Sequence, residues 1–109
     1  MRNLAGLAVI SDDVLEALVV LCRRHRVRDL TLFGSASGAD FDPGRSDIDL
    51  LVEFEPMPPT EHMQHYFGLL EALEALFGRE VDLVEQSAVR NPYVLDSILK
   101  SRVPLYAAA

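Results

Sequence analysis

The fold is decided by residues 46–54, which read SDIDLLVEF. Apolar and acidic side chains alternate over most of this stretch, and that period of two predicts a β-strand with one buried face. The apolar face consists of Ile48, Leu50, Val52 and Phe54. The opposite face consists of Asp47, Asp49, Leu51 and Glu53. Two aspartates, Asp47 and Asp49, therefore leave the strand on the same side, and a bound cation would neutralise them.

A second strand is predicted just upstream, over residues 27–33, where β-forming side chains are concentrated. It ends at Gly34-Ser35, and twelve residues separate Gly34 from Asp47. That connection is short for a helical crossover, so we expect the two strands to be antiparallel. An antiparallel pair brings Gly34, Ser35 and Asp47 to the same end of the sheet.

Three helices and a third strand complete the predicted fold. The first helix is capped near Ser11 and carries an apolar stripe from Val14 to Cys22. The other elements are a helix over 61–77 ended by Gly78, a strand over 81–84, a helix starting at Asn91-Pro92 and stopped by Pro104, and a short edge strand at 105–106. The buried stripe of the 61–77 helix is predicted to be Met63, Tyr66, Phe67, Leu70, Leu73 and Phe77. The fold class is therefore α/β, in the α+β sense, with a small mixed sheet flanked by helices.

Composition narrows the class of protein further. The chain has 109 residues, and half of them are hydrophobic, which fits one globular domain over 1–109. A net charge of -7 argues against direct nucleic-acid binding, and no apolar run is long enough to span a membrane. A single cysteine, Cys22, is expected in the core of a cytoplasmic protein. A chain this small leaves apolar surface exposed, which favours a homo- or hetero-oligomer.

Two more features suggest phosphate chemistry. Asp82 interrupts the short apolar strand VDLV, where an acid without a partner is costly. Gly34 allows close backbone approach to a phosphate, and the Ser35 hydroxyl can donate to its oxygens. Donors for an anion beside carboxylates for a divalent cation suit nucleotidyl or phosphoryl transfer.

These motifs resemble a known family. The segments LFGS at 32–35, SDIDLLV at 46–52 and VDLV at 81–84 resemble the nucleotidyltransferase domain of the DNA polymerase β superfamily. More narrowly, they are similar to the minimal nucleotidyltransferase (MNT) antitoxins that are encoded beside HEPN-domain toxins. The resemblance spans roughly residues 27–106, and it implies the polymerase β-like nucleotidyltransferase fold.

The resemblance also implies roles and partners. Asp47, Asp49 and Asp82 would bind two Mg²⁺ ions, and Asp82 would assist deprotonation of the acceptor hydroxyl. Gly34 and Ser35 would hold the phosphates of the nucleoside triphosphate. The implied reaction moves AMP from ATP onto a tyrosine of a partner HEPN ribonuclease, which silences that toxin.

One position departs from the family pattern. Members often carry an arginine three residues after the serine, where this chain has Gly38, and Arg45 is the cation of the same loop. This departure motivates the alternative of a catalytically weak or inactive antitoxin that neutralises its partner by binding. A glycosyltransferase-like Asp-x-Asp site is disfavoured by the short chain and the Gly-Ser element.

The candidate residues also have structural explanations that involve no function. Asp47 and Asp49 would then form a solvated strand edge, and Asp82 would simply face water. His62 and His65 are three residues apart on a predicted helix, but no further ligand completes a metal site, so we expect them on its polar face.

Overall fold

A computed structural model describes residues 11–33 and 48–108. The helices are α1 (Asp12–Arg24), α2 (Pro59–Phe77) and α3 (Pro92–Ser101). The strands are β1 (Val27–Phe33), β2 (Ile48–Phe54), β3 (Val81–Glu85) and β4 (Val103–Ala107), with a 3-10 turn at Gln86–Ala88. Within these two segments, no helix is both long and apolar enough to cross a membrane.

The four strands form one mixed sheet in the order β3-β2-β1-β4. β1 is antiparallel to both β2 and β4, whereas β2 is parallel to β3. The mixed α+β fold and the antiparallel pairing across the 34–47 connection are thus confirmed. β3 and β4 are the edge strands among the described residues, and Asp82 belongs to β3.

Helices α1 and α2 cover one face of the sheet and form the hydrophobic core with it. Leu18 and Cys22 of α1 and Leu69 and Leu73 of α2 are fully buried against the sheet. Burial raises the pKa of the Cys22 thiol to about 12, so it stays protonated. Cys22 is a core residue, as the sequence predicted.

Helix ends follow the capping residues that the sequence contains. The Ser11 hydroxyl accepts a hydrogen bond from the Val14 N–H at 3.3 Å. The Asn91 side chain accepts from Tyr93 N–H and Val94 N–H at 2.9 and 3.3 Å. Gly78 ends α2 in the left-handed conformation, with φ 68°, which glycine adopts without strain. These contacts fix where α1 and α3 begin and where α2 ends.

The predicted buried stripe of α2 is wrong at two positions. Met63 and Phe67 are exposed, by 61% and 60%, while the buried stripe is centred on Leu69 and Leu73. Phe67 lies about 120° or more around the helix from both leucines, and Met63 lies about 120° from Leu69 and about 80° from Leu73. The apolar residues of α2 extend over more of its circumference than the sheet and α1 cover, so the sequence pattern alone did not select the buried side.

Other departures are smaller. α2 begins at Pro59 instead of residue 61, because proline suits the first helical turn. α3 ends at Ser101, and Pro104 lies inside edge strand β4, where a missing N–H is tolerated. On the second sheet face, Leu51 is buried with its register partner Thr31, so this face is not polar throughout.

Candidate functional site

Asp49 and Asp82 are neighbours across two parallel strands. Each is the second residue of its strand, and the two are register partners in the β2–β3 pair. Their side chains share the sheet face opposite α1 and α2, since Ile48, Leu50 and Leu83 point into the core. Adjacent strands lie about 4.8 Å apart, so the two carboxylates are side by side. Asp49 is half-buried and Asp82 is exposed.

The third strand of this row is β1, whose last residue, Phe33, is the register partner of Asp49. Gly34 and Ser35 follow Phe33 directly in the sequence, and Asp47 directly precedes Ile48. The predicted loop residues that lie outside the described segments are Gly34, Ser35, Gly38, Arg45 and Asp47. The structure therefore brings Asp49 and Asp82 together. The predicted roles of these two aspartates, and those of Gly34, Ser35 and Asp47, stay predictions.

The donor atoms that are described fit a hard cation. Two carboxylates held on one face at one end of the sheet offer the oxygen ligands that Mg²⁺ prefers, and Mg²⁺ commonly takes one or two carboxylates plus substrate phosphates. Within residues 11–33 and 48–108 no group of three or more metal-ligating side chains is present. The described part of the chain thus supplies two of the three predicted carboxylates.

A second polar cluster lies at the opposite end of β2 and β3. His62 Nε2 is 2.6 Å from Glu85 Oε1, and both residues line a cavity of about 200 Å³ with Phe54 and Met57. Neither Asp49 nor Asp82 lines this cavity. We place the candidate site at the aspartates, because Asp49 and Asp82 are paired there and neither of them lines the cavity.

Side chains of α2 bind the backbone of β3 on both sides of Asp82. The Tyr66 hydroxyl donates to the Leu83 carbonyl oxygen, and Glu74 Oε2 accepts from the Val81 N–H at 3.1 Å. Burial raises the pKa of Tyr66, and the charges of Glu85 and then Asp82 raise it further. The sequence predicted Tyr66 only as an apolar stripe residue, and no sequence signal pointed to either contact.

The two remaining histidines, His25 and His65, contact each other. His65 Nδ1 lies 3.2 Å from His25 Nδ1, and the rings meet edge to face with centroids 5.4 Å apart. Burial lowers the pKa of His25, and the neighbouring His65 and Arg24 lower it further. His62 and His65 are half-buried, so each has a structural contact that accounts for its place on α2.

Comparison with known proteins assigns the class that this sheet and its paired aspartates suggest. The family model described as "Nucleotidyltransferase domain" matches residues 15–105. The chain therefore belongs to the nucleotidyltransferase domain family, and it is an enzyme of that class by family membership.

Individual relatives make the resemblance narrower. MJ0128 of Methanocaldococcus jannaschii, a candidate protein adenylyltransferase by name, is 35% identical over 82% of this chain and 87% of its own length. Protein adenylyltransferase MntA of Thermococcus cleftensis is 32% identical over 78% of this chain and 87% of its own length. This chain is thus a minimal nucleotidyltransferase of the same family as these proteins.

Solved structures agree on the fold. A structure described as a candidate minimal nucleotidyltransferase has a TM-score of 0.71 and 31% identity, with 85% of this chain and 90% of the other covered. A chain of the structure described as the tri-AMPylated Shewanella oneidensis HEPN toxin in complex with MNT antitoxin has a TM-score of 0.61 and 18% identity, with 91% of this chain and 74% of the other covered. At that identity the second likeness concerns the fold alone.

Proposed function

We propose that this protein is a Mg²⁺-dependent nucleotidyltransferase that moves AMP from ATP to a tyrosine hydroxyl of a partner HEPN ribonuclease toxin, and that it acts as the antitoxin. One observation carries the proposal: Asp49 and Asp82 are register partners on one sheet face, at the end where the Gly34-Ser35 segment begins. Membership of the nucleotidyltransferase family supports it, as do relatives named as adenylyltransferases. A single cytoplasmic domain over 1–109 is part of the same proposal.

The reaction assigns a task to each carboxylate. The acceptor oxygen bonds to the α-phosphorus of ATP, the bond from that phosphorus to the α,β-bridging oxygen breaks, and pyrophosphate leaves. The hydroxyl proton passes to Asp82, while Asp47 and Asp49 act as metal ligands with it. Bound Mg²⁺ supplies positive charge that neutralises the triphosphate and the departing pyrophosphate. Gly34 and Ser35 hold the phosphates in this scheme.

Labelled ATP tests the proposal directly. We expect label from [α-³²P]ATP, but none from [γ-³²P]ATP, to appear on the HEPN protein encoded beside this chain, and only with Mg²⁺ present. Asp82→Asn is expected to lower the rate at least 100-fold, since it removes both a metal ligand and a proton acceptor. Asp29→Asn is the matched control, because Asp29 lies on the same sheet face in β1, away from the paired aspartates.

A binding antitoxin without catalysis is the second candidate, and Gly38 in place of the family's frequent arginine favours it. The Asp47→Asn/Asp49→Asn double variant separates the two in a growth assay with the toxin co-expressed. Neutralisation that survives this change supports binding alone. Loss of neutralisation, with the complex still formed in a pull-down, supports adenylyl transfer.

A further inference from the structure

Asp82 lies on an edge strand, and edge strands are the least constrained part of a sheet. Within residues 11–33 and 48–108, β3 pairs with β2 on one side and no strand pairs with its outer backbone groups. Any slippage of β3 along β2 would move Asp82 relative to Asp49, which belongs to an inner strand. Precise placement of the two carboxylates therefore needs something besides the β2–β3 ladder.

Helix α2 provides this additional restraint, because it runs antiparallel along the outer side of β3. Moving down the helix, Glu74 contacts Val81, Tyr66 contacts Leu83 and His62 contacts Glu85. The first two contacts are to the backbone of the strand: Glu74 accepts the Val81 N–H, and the Tyr66 hydroxyl donates to the Leu83 carbonyl. Val81 and Leu83 are the residues immediately before and after Asp82.

The helix residues are themselves firmly held. Tyr66 is half-buried, packs against the core and meets Phe67 edge to face with ring centroids 5.1 Å apart. A phenol is protonated at neutral pH, so the Tyr66 hydroxyl is a hydrogen-bond donor there. Glu74 is half-buried one residue after the fully buried Leu73. Each bond therefore joins Asp82's neighbours to the core.

We propose that Tyr66 and Glu74 are positioning residues for the transfer reaction, because their hydrogen bonds to Val81 and Leu83 hold Asp82 beside Asp49. The inference rests on the proposed function of Asp82. Neither side chain is assigned any contact with nucleotide or metal, and both act through the backbone of β3. Groups that orient a metal ligand commonly change metal affinity by about 10- to 100-fold when removed.

The test measures Mn²⁺ binding by water-proton relaxation, in the presence of the non-cleavable α,β-methylene analogue of ATP. Tyr66→Phe and Glu74→Ala are each expected to weaken Mn²⁺ binding about 10-fold. Glu74→Gln keeps an acceptor oxygen for the Val81 N–H and is expected to stay within about twofold of the wild type. Tyr106→Phe is the matched control, since Tyr106 lies in β4 at the opposite edge of the sheet.

Transfer kinetics give a second readout that a general loss of folded protein would not mimic. With Tyr66→Phe, the Mn²⁺ concentration for half-maximal rate is expected to rise about 10-fold, while the rate at saturating Mn²⁺ recovers to near the wild-type value. Unchanged Mn²⁺ affinity in both Tyr66→Phe and Glu74→Ala overturns the inference, as does an equal loss in Tyr106→Phe. Should Tyr66→Phe not fold, Glu74→Ala compared with Glu74→Gln decides.

The two proposals fail in different ways. A wild-type protein that binds Mn²⁺ with the ATP analogue but transfers no AMP contradicts the proposed function alone, and Mn²⁺ affinities then still judge the positioning residues. A wild-type protein that binds no Mn²⁺ contradicts both.

Discussion

Gly68 shows how closely α2 packs against the end of α1. It lies in the interior of α2, where alanine is more favourable than glycine by about 1 kcal/mol. A Cβ at this position, however, would lie 2.9 Å from His25 Cε1 and 3.5 Å from His25 Nδ1. The His25 ring would have to move, and its 3.2 Å contact with His65 would be lost.

The gain in helix propensity and the displacement of the His25 ring oppose each other, and a double-mutant cycle separates the two effects. Losing the hydrogen bond costs about 1 kcal/mol, so Gly68→Ala is expected to leave the free energy of unfolding of the wild type unchanged within about 1 kcal/mol. In a His25→Ala background the ring is gone, and Gly68→Ala is expected to stabilise by about 1 kcal/mol. The coupling energy between the two positions is therefore about 1 kcal/mol.

Urea unfolding of the four proteins measures this coupling, provided the denaturant slopes agree. Equal effects of Gly68→Ala in both backgrounds would refute the reasoning, because they would mean that the His25 ring does not limit the space above Gly68. A large loss of stability in both backgrounds would point to a backbone clash instead.

Three further predictions use residues outside the candidate site. Burial and the neighbouring His65 lower the pKa of His25, so unfolding takes up a proton as the pH falls below about 6.5, and the free energy of unfolding should fall with it. His25→Ala should flatten that dependence in thermal melts between pH 7.5 and 5. Gly78→Ala forces an L side chain into φ 68° and should cost about 1 kcal/mol or more, measured by urea unfolding. Cys22 is buried, with its pKa raised to about 12, so a thiol reagent should modify it only as fast as the protein opens, and unfolded protein should react at once.

Much of the fold could be predicted because local signals agree with the tertiary structure. β1 occupies the predicted residues 27–33, and Asn91 and Gly78 act as the expected caps. The mixed sheet followed from the length of one connection. The prediction was wrong about which side of α2 is buried, since Met63 and Phe67 were expected inside. An apolar pattern that is broad around a helix does not indicate which part of it the sheet covers.

The candidate site also has features that could be predicted from the sequence and features that could not. The pairing of Asp49 with Asp82 was expected from the resemblance, whereas the contacts of Tyr66 and Glu74 with β3 were not. A phenol and a carboxylate on an amphipathic helix look like any core-flanking residues. Their partners are backbone atoms, which leave no signature in a single sequence.

The side contacts along β3 have a further consequence for how copies of this chain behave in a crowded cell. A sheet grows into fibres or swapped dimers when a foreign strand finds free amide and carbonyl groups at its margin. At one margin, two of these groups are already occupied by Tyr66 and Glu74, and at the other, Pro104 removes a donor. Addition of a foreign strand is therefore less favourable at β3 and at β4 than at an edge whose groups are all free.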